Sequence, residues 1–103
     1  MFRYLRIAIL LTILVVVAGN QVLIIIAHEL MHILGASDKY DSGTGQPIPP
    51  DGLANPSKSP LYPQQQAEIM GGRIATSSDR WRRPARLKSC VIGAKTAAEI
   101  GWG

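Results

Sequence analysis

The chain has 103 residues, with 11 Lys plus Arg against 7 Asp plus Glu, and 47% of its residues are hydrophobic. That length holds one small domain and excludes a two-domain enzyme. A single cysteine, Cys90, excludes an internal disulfide, and a net charge of +4 is too modest to argue by itself for a nucleic-acid partner.

The apolar residues are unevenly spread. From Leu5 to Ala27 only Arg6, Thr12, Gly19, Asn20 and Gln21 break the run. With that stretch cleaved or in a membrane, roughly 75 residues remain, a size that is marginal without a metal, disulfides or a partner. Met1 to Arg6 is a short basic region, Ile7 to Val17 is apolar except for Thr12, and Ala18-Gly19 supplies small residues. This is the layout of a secretory signal peptide, with Val16 and Ala18 at the cleavage positions. Joining the run to Val22–Ala27 across Asn20-Gln21 gives instead about 20 residues, long enough to span a bilayer. Residues 1–21 are therefore expected to be a signal peptide or a membrane anchor, the anchor reaching as far as 27, and residues 22–103 to form the domain. Arg3 and Arg6 precede the run, while Lys39 after it sits between Asp38 and Asp41. That asymmetry places the domain outside the cytoplasm, membrane-anchored, secreted or periplasmic.

Val22 to Ala27 has no period that separates a strand from a buried helix. It runs without Pro or Gly into His28–Leu34, which reads as a helix stopped by Gly35 at its C-cap. From Asp41 to Gln66 lie six of the seven prolines, and Pro47, Pro49 and Pro50 exclude a helix there. A flexible linker and an extended loop pinned at its ends both fit this composition. Gln64 to Met70 is read as one or two helical turns stopped by Gly71-Gly72. Thr96 to Ile100 reads as a short terminal helix capped by Thr96, with Glu99 three residues on.

His28-Glu-Leu-Met-His32 matches the pattern H-E-x-x-H and contains both histidines of the chain. Helical spacing puts His28 and His32 one turn apart on one face, so both imidazoles reach one ion. Zn²⁺ suits two neutral imidazoles and tolerates an open position. Glu29 is placed to hold a metal-bound water without ligating the metal, and to take its proton as the water attacks a carbonyl. Gly35 allows a sharp turn after the helix that swings Asp38 back as a third, carboxylate ligand, with Asp41 as the alternative. The plainer reading is an amphipathic helix with two surface histidines.

The string His28-Glu-x-x-His32-x-x-Gly35-x-x-Asp38 resembles the metzincin clan of zinc peptidases. More narrowly, His28–Asp41 looks like a group of small bacterial membrane-anchored or secreted members. The likeness continues through Gln46–Ala54, Tyr62–Gln64, Ala67–Ile74 and Thr96–Trp102. It implies a zinc cofactor, peptide or protein substrates, and a methionine-bearing turn beneath the metal, for which Met70 is the matching position. An ordinary core methionine is the other reading of Met70. Metzincins carry a sheet ahead of this helix, whereas only 27 residues precede His28 here. The sheet is thus expected to be missing, and a partner chain could supply an edge strand.

Arg80-Trp81-Arg82-Arg83 invites a nucleic-acid reading, but a solvated loop or a contact with anionic lipid head groups fits better. Cys90 reads as a small buried residue rather than a ligand. Tyr40 and Tyr62 are candidates to stabilise an oxyanion, although nothing in the sequence orients either. The expected fold is therefore mainly α, a minimal metzincin-like zincin with an N-terminal signal or transmembrane helix. The expected function is that of an extracytoplasmic zinc metallopeptidase. The alternative is a non-catalytic, membrane-anchored relative that still binds zinc.

Overall fold

The computed structural model describes Arg6, Ala8, Ile9 and residues 19–102. Most of the expected signal peptide or anchor lies outside the described residues. The described elements are helix α1 (Asn20–Ile33), strands β1 (Ala67–Glu68), β2 (Ile74–Ala75) and β3 (Trp81–Arg82), a 3₁₀ turn (Leu87–Ser89), strand β4 (Cys90–Val91) and helix α2 (Ala94–Glu99).

This corrects the expected fold class. Two helices of 14 and six residues stand among four two-residue strands and long irregular loops, so the described chain is not mainly α. The prolines at 47, 49 and 50 remove donors and fix φ across the middle of the molecule, where no helix forms. Nor is any described helix long and apolar enough to cross a membrane. α1 starts at Asn20 because Gly19 takes φ 54° and ψ −127°, outside the helical region. Most of the residues that would complete an apolar span with Val22–Ala27 lie outside the described residues.

The polar residues Asn20 and Gln21 dock α1. Gln21 Nε2 donates to the Pro84 carbonyl at 2.7 Å, and Asn20 Oδ1 accepts from the Leu87 amide at 2.9 Å. Along α1, Ile24, Ala27 and Met31 recur at helical spacing and pack with Ala36, Ile69, Met70, Cys90 and Ile100 as the core. Leu23, Ile25, Ile26, Leu30, Ile33 and Leu34 stay exposed.

Gly35 ends α1 as the sequence predicts. It adopts φ 111°, with the Gly35 amide bonded to the His32 carbonyl and the Ala36 amide to the Met31 carbonyl, the two bonds of a Schellman motif. Ala36 and Met31 also share the core contact that commonly accompanies this cap.

The loop between Asp41 and Gln66 is pinned rather than free. Gln64 is 1% exposed, and its amide binds the Asn55 amide and the carbonyls of Asn55 and Leu61 at 2.8–2.9 Å. Leu53 is buried and bridges to Ala67. Residues 64–70 are not helical, another departure from expectation. Ala67–Glu68 pairs in parallel with Cys90–Val91, and Ile74–Ala75 pairs antiparallel with Trp81–Arg82.

α2 starts two residues earlier than expected, after Gly93, and Thr96 does not cap it. Thr96 is fully buried, and its hydroxyl oxygen has no hydrogen-bond partner.

Candidate metal centre

α1 and the reversal at Gly35 bring three side chains together. His28 Nε2 lies 2.9 Å from Asp38 Oδ1, His32 Nε2 lies 2.7 Å from the same oxygen, and the two Nε2 atoms are 3.2 Å apart. The donor atoms of His28, Glu29 and His32 lie within 4.8 Å of one another, and this group could hold a metal ion.

The backbone fixes which imidazole nitrogen carries the hydrogen. His28 Nδ1 faces the Ile69 carbonyl at 2.9 Å, and His32 Nδ1 faces the Ala36 carbonyl at 2.8 Å. A carbonyl oxygen only accepts, so each Nδ1 must donate. In the neutral rings both Nε2 atoms then present lone pairs to each other and to a carboxylate oxygen. Three acceptors held 2.7–3.2 Å apart repel unless a proton or a metal cation lies among them. Ligand atoms around one tetrahedral Zn²⁺ stand about 3.3 Å apart at bond lengths of about 2.0–2.1 Å. The Nε2–Nε2 separation is close to that spacing and the two contacts to Asp38 Oδ1 are shorter, and Nδ1–H bonded to a carbonyl is the usual outer support of a metal-binding histidine.

Asp38 and Asp41, the two candidates for a third ligand, have different surroundings. Asp41 Oδ1 accepts from the amides of Gly43 at 2.7 Å and Thr44 at 3.0 Å, closing a turn. Those amides, Thr44 first and Gly43 second, hold its carboxyl below the usual range. Asp38 is the carboxylate beside the imidazoles.

The backbone at residues 69–70 forms the floor. The Ile69 carbonyl takes the His28 hydrogen bond, and the Met70 carbonyl accepts the Lys39 amide at 2.9 Å, next to Asp38. Met70 is fully buried in the core cluster with Ile24 and Ala36. The turn that carries it depends on Glu68, which is fully buried: one carboxylate oxygen accepts the Met70 and Gly71 amides, and the other accepts the Gly93 amide at 2.8 Å. Gly71 is required because a Cβ there would stand 2.3 Å from the Gly52 carbonyl oxygen.

An open pocket of about 180 Å³ adjoins His28 and Glu29, and Tyr40, Arg73 and Arg83 share its wall. Tyr40, which nothing in the sequence orients, is set here by a bridge to Pro47, with its ring centroid 6.3 Å from that of His28. Tyr62 does not line this pocket. From the basic cluster, Arg83 reaches the pocket, while Trp81 lies in β3 and donates from Nε1 to the Thr44 carbonyl at 2.9 Å. Cys90 lines a separate apolar pocket with Ala27, Met31 and Ile69. Burial, and secondarily the charge of Glu68, raise its thiol pKa. Glu68 and Arg73 escaped the sequence reading, and Glu99, read as the capping partner of Thr96, instead binds Ser37 and Lys39; for Glu68, a carboxylate directly before an apolar pair and two glycines was the available signal.

No protein-family model, curated protein or solved structure matches the chain.

Proposed function

We propose that this chain is a metal-dependent hydrolase of peptide bonds, with zinc held by His28, His32 and Asp38 and with Glu29 as the proton carrier. The resemblance of His28–Asp38 to metzincins supports the reaction class. The observation that carries the proposal is the convergence of two Nε2 atoms and Asp38 Oδ1 while both Nδ1 atoms donate to carbonyls. Zinc, when bound, polarises a carbonyl and lowers the pKa of water toward neutrality.

The residues of the chain then have separable tasks. The Ile69 and Ala36 carbonyls hold the imidazoles in the tautomer that presents Nε2 to a cation. Asp38 contributes a negative charge that partly neutralises the ion and strengthens its hold. Glu29 is exposed and has its carboxylate within 4.8 Å of the imidazole nitrogens, a separation that a single water bridges. From there it accepts a proton from attacking water and returns it to the leaving amine. Tyr40 borders the same pocket. We place this activity outside the cytoplasm, on the basis of the arginines before the apolar run.

The test combines metal content with turnover. Purified chain should contain one zinc, and a library of unstructured peptides should be cleaved slowly by wild type and not by Glu29→Gln, with zinc retained in both. Zinc retained without any Glu29-dependent cleavage would favour a non-catalytic metal-binding protein. Zinc content indifferent to His32→Ala would overturn both readings.

A further inference from the structure

We propose that Arg73, flanked by Arg83, is an anion-recognition subsite that selects peptides with an acidic residue near the bond to be cleaved. The inference rests on the hydrolase reading for its purpose, though not for its geometry. Arg73 lines the same pocket as His28 and Glu29. Its guanidinium carbon lies 4.3 Å from the centroid of the Tyr40 ring and 4.9 Å from that of Trp81. Trp81 is itself fixed through its Nε1 bond to Thr44 and also carries the Arg83 guanidinium, 5.6 Å from its ring centroid. Two aromatic faces thus hold one cation in a set orientation, and Arg83 supplies a second cation on the wall of the same pocket.

What these cations lack is an anion. Among the described residues no hydrogen bond or ion pair reaches either guanidinium, and Arg73 Nε is buried without a partner. The terminal nitrogens of Arg73 make no hydrogen bond among the described residues, and a planar guanidinium with free donors matches a carboxylate bidentately. The nearest carboxylate on the wall is Glu29, which is not paired with either arginine. A substrate carboxylate that enters this pocket meets both cations while its backbone lies against His28 and Glu29. Glutamate and aspartate side chains, or a terminal carboxylate, satisfy that geometry; lysine side chains are repelled.

The experiment uses three acetylated, amidated peptides identical except for Glu, Gln or Lys at one position. Binding to the metal-free chain is measured by calorimetry, and cleavage by the zinc-loaded chain is measured with the residue moved through the positions flanking the scissile bond. The Glu peptide should bind roughly tenfold tighter than the Gln peptide, the size expected for a hydrogen bond to a charged group. Arg73→Gln should erase that difference and Arg73→Lys should restore only part of it. Equal binding of the Glu and Gln peptides by wild type overturns the subsite without recourse to a variant. A preference that survives Arg73→Gln in a folded protein overturns the assignment to Arg73. Acidic preference in binding without Glu29-dependent cleavage upholds the subsite and removes the hydrolase reading. Cleavage indifferent to Glu against Gln at every position does the reverse.

Discussion

The buried ammonium of Lys39 donates to the carboxylate of Glu99, across 60 positions of sequence, and the same carboxylate accepts the amide and hydroxyl of Ser37 at 3.2 and 2.8 Å. Ser37 and Lys39 are the two neighbours of Asp38. α2 therefore holds the residues on either side of the carboxylate that faces the two imidazoles, Ser37 by amide and hydroxyl and Lys39 by its ammonium, although it contributes no ligand. Gly35 permits the close approach, since a Cβ there would stand 3.0 Å from the Glu99 carbonyl oxygen.

This relationship makes Glu99 a positioning residue for the centre. Glu99→Gln keeps the side-chain shape but loses the charge that holds Lys39. Loss of outer support of this kind lowers metal affinity by roughly 10-fold or more. We expect a weakening of about that size for Glu99→Gln, measured by competition with a chelator, with stoichiometry still at one zinc. Unchanged affinity would show that Asp38 is held by its own turn alone.

The same pair predicts an acid limb in stability. The Lys39 ammonium, followed by the Ser37 hydroxyl and amide, lowers the Glu99 carboxyl from 4.5 to about 2. A depressed carboxyl pKa contributes stability that is present above the unfolded value and is lost as pH falls through the folded one. The stability gap between wild type and Glu99→Gln should thus be constant above about pH 5 and close between about 4.5 and 2. Urea titrations in the presence of a chelator measure it, and added salt should shrink it because Glu99 is partly exposed. A gap that opens on acidification would contradict the assignment.

The centre was more legible in the sequence than the fold around it. His28, His32 and Gly35 follow from local rules, helical spacing and a left-handed cap, and such rules hold whatever the rest of the chain does. The strand pairing of Ala67–Glu68 with Cys90–Val91 joins segments more than 20 residues apart, and its two-residue strands leave no period to read. Gln64–Met70 looks helical by composition, yet Glu68 turns its carboxylate onto three backbone amides and bends the chain before a turn of helix can form. The Arg73 stack depends on Tyr40 and Trp81, which meet only in three dimensions.

Glu68 yields a prediction that separates fold from ligation. Its carboxylate is fully buried and has no basic side chain among its hydrogen-bond partners; three amides take the place of a counter-ion. Glu68→Gln turns one acceptor into a donor facing an amide, leaving a buried clash of like dipoles. The expected cost is about 2–3 kcal/mol. Because Ile69 and Met70 follow directly, zinc affinity should fall with stability. A neutral result in urea unfolding would mean that the turn at 68–72 stands without this carboxylate.

The last prediction concerns which aspartate completes the centre. Asp38 Oδ1 lies 2.9 and 2.7 Å from the two imidazole nitrogens, whereas Asp41 Oδ1 is already engaged by the Gly43 and Thr44 amides. Asp38→Asn keeps size and removes the charge that the cation needs, so zinc affinity should drop by two orders of magnitude or so, within the range of a lost charged contact of about 3 kcal/mol. In the metal-free protein the same change relieves the crowding of acceptors, because the amide can donate to an Nε2 lone pair, and thermal stability should hold or rise. Asp41→Asn retains an oxygen for the turn amides and should leave zinc affinity within about threefold of wild type, costing at most about 1 kcal/mol of stability. Opposite signs for the two variants, lower affinity with unimpaired apo stability at 38 and the converse at 41, are the expected signature. If Asp41→Asn costs more zinc affinity than Asp38→Asn, the loop at 41–46 must rearrange when metal binds, and Asp41 is the third ligand.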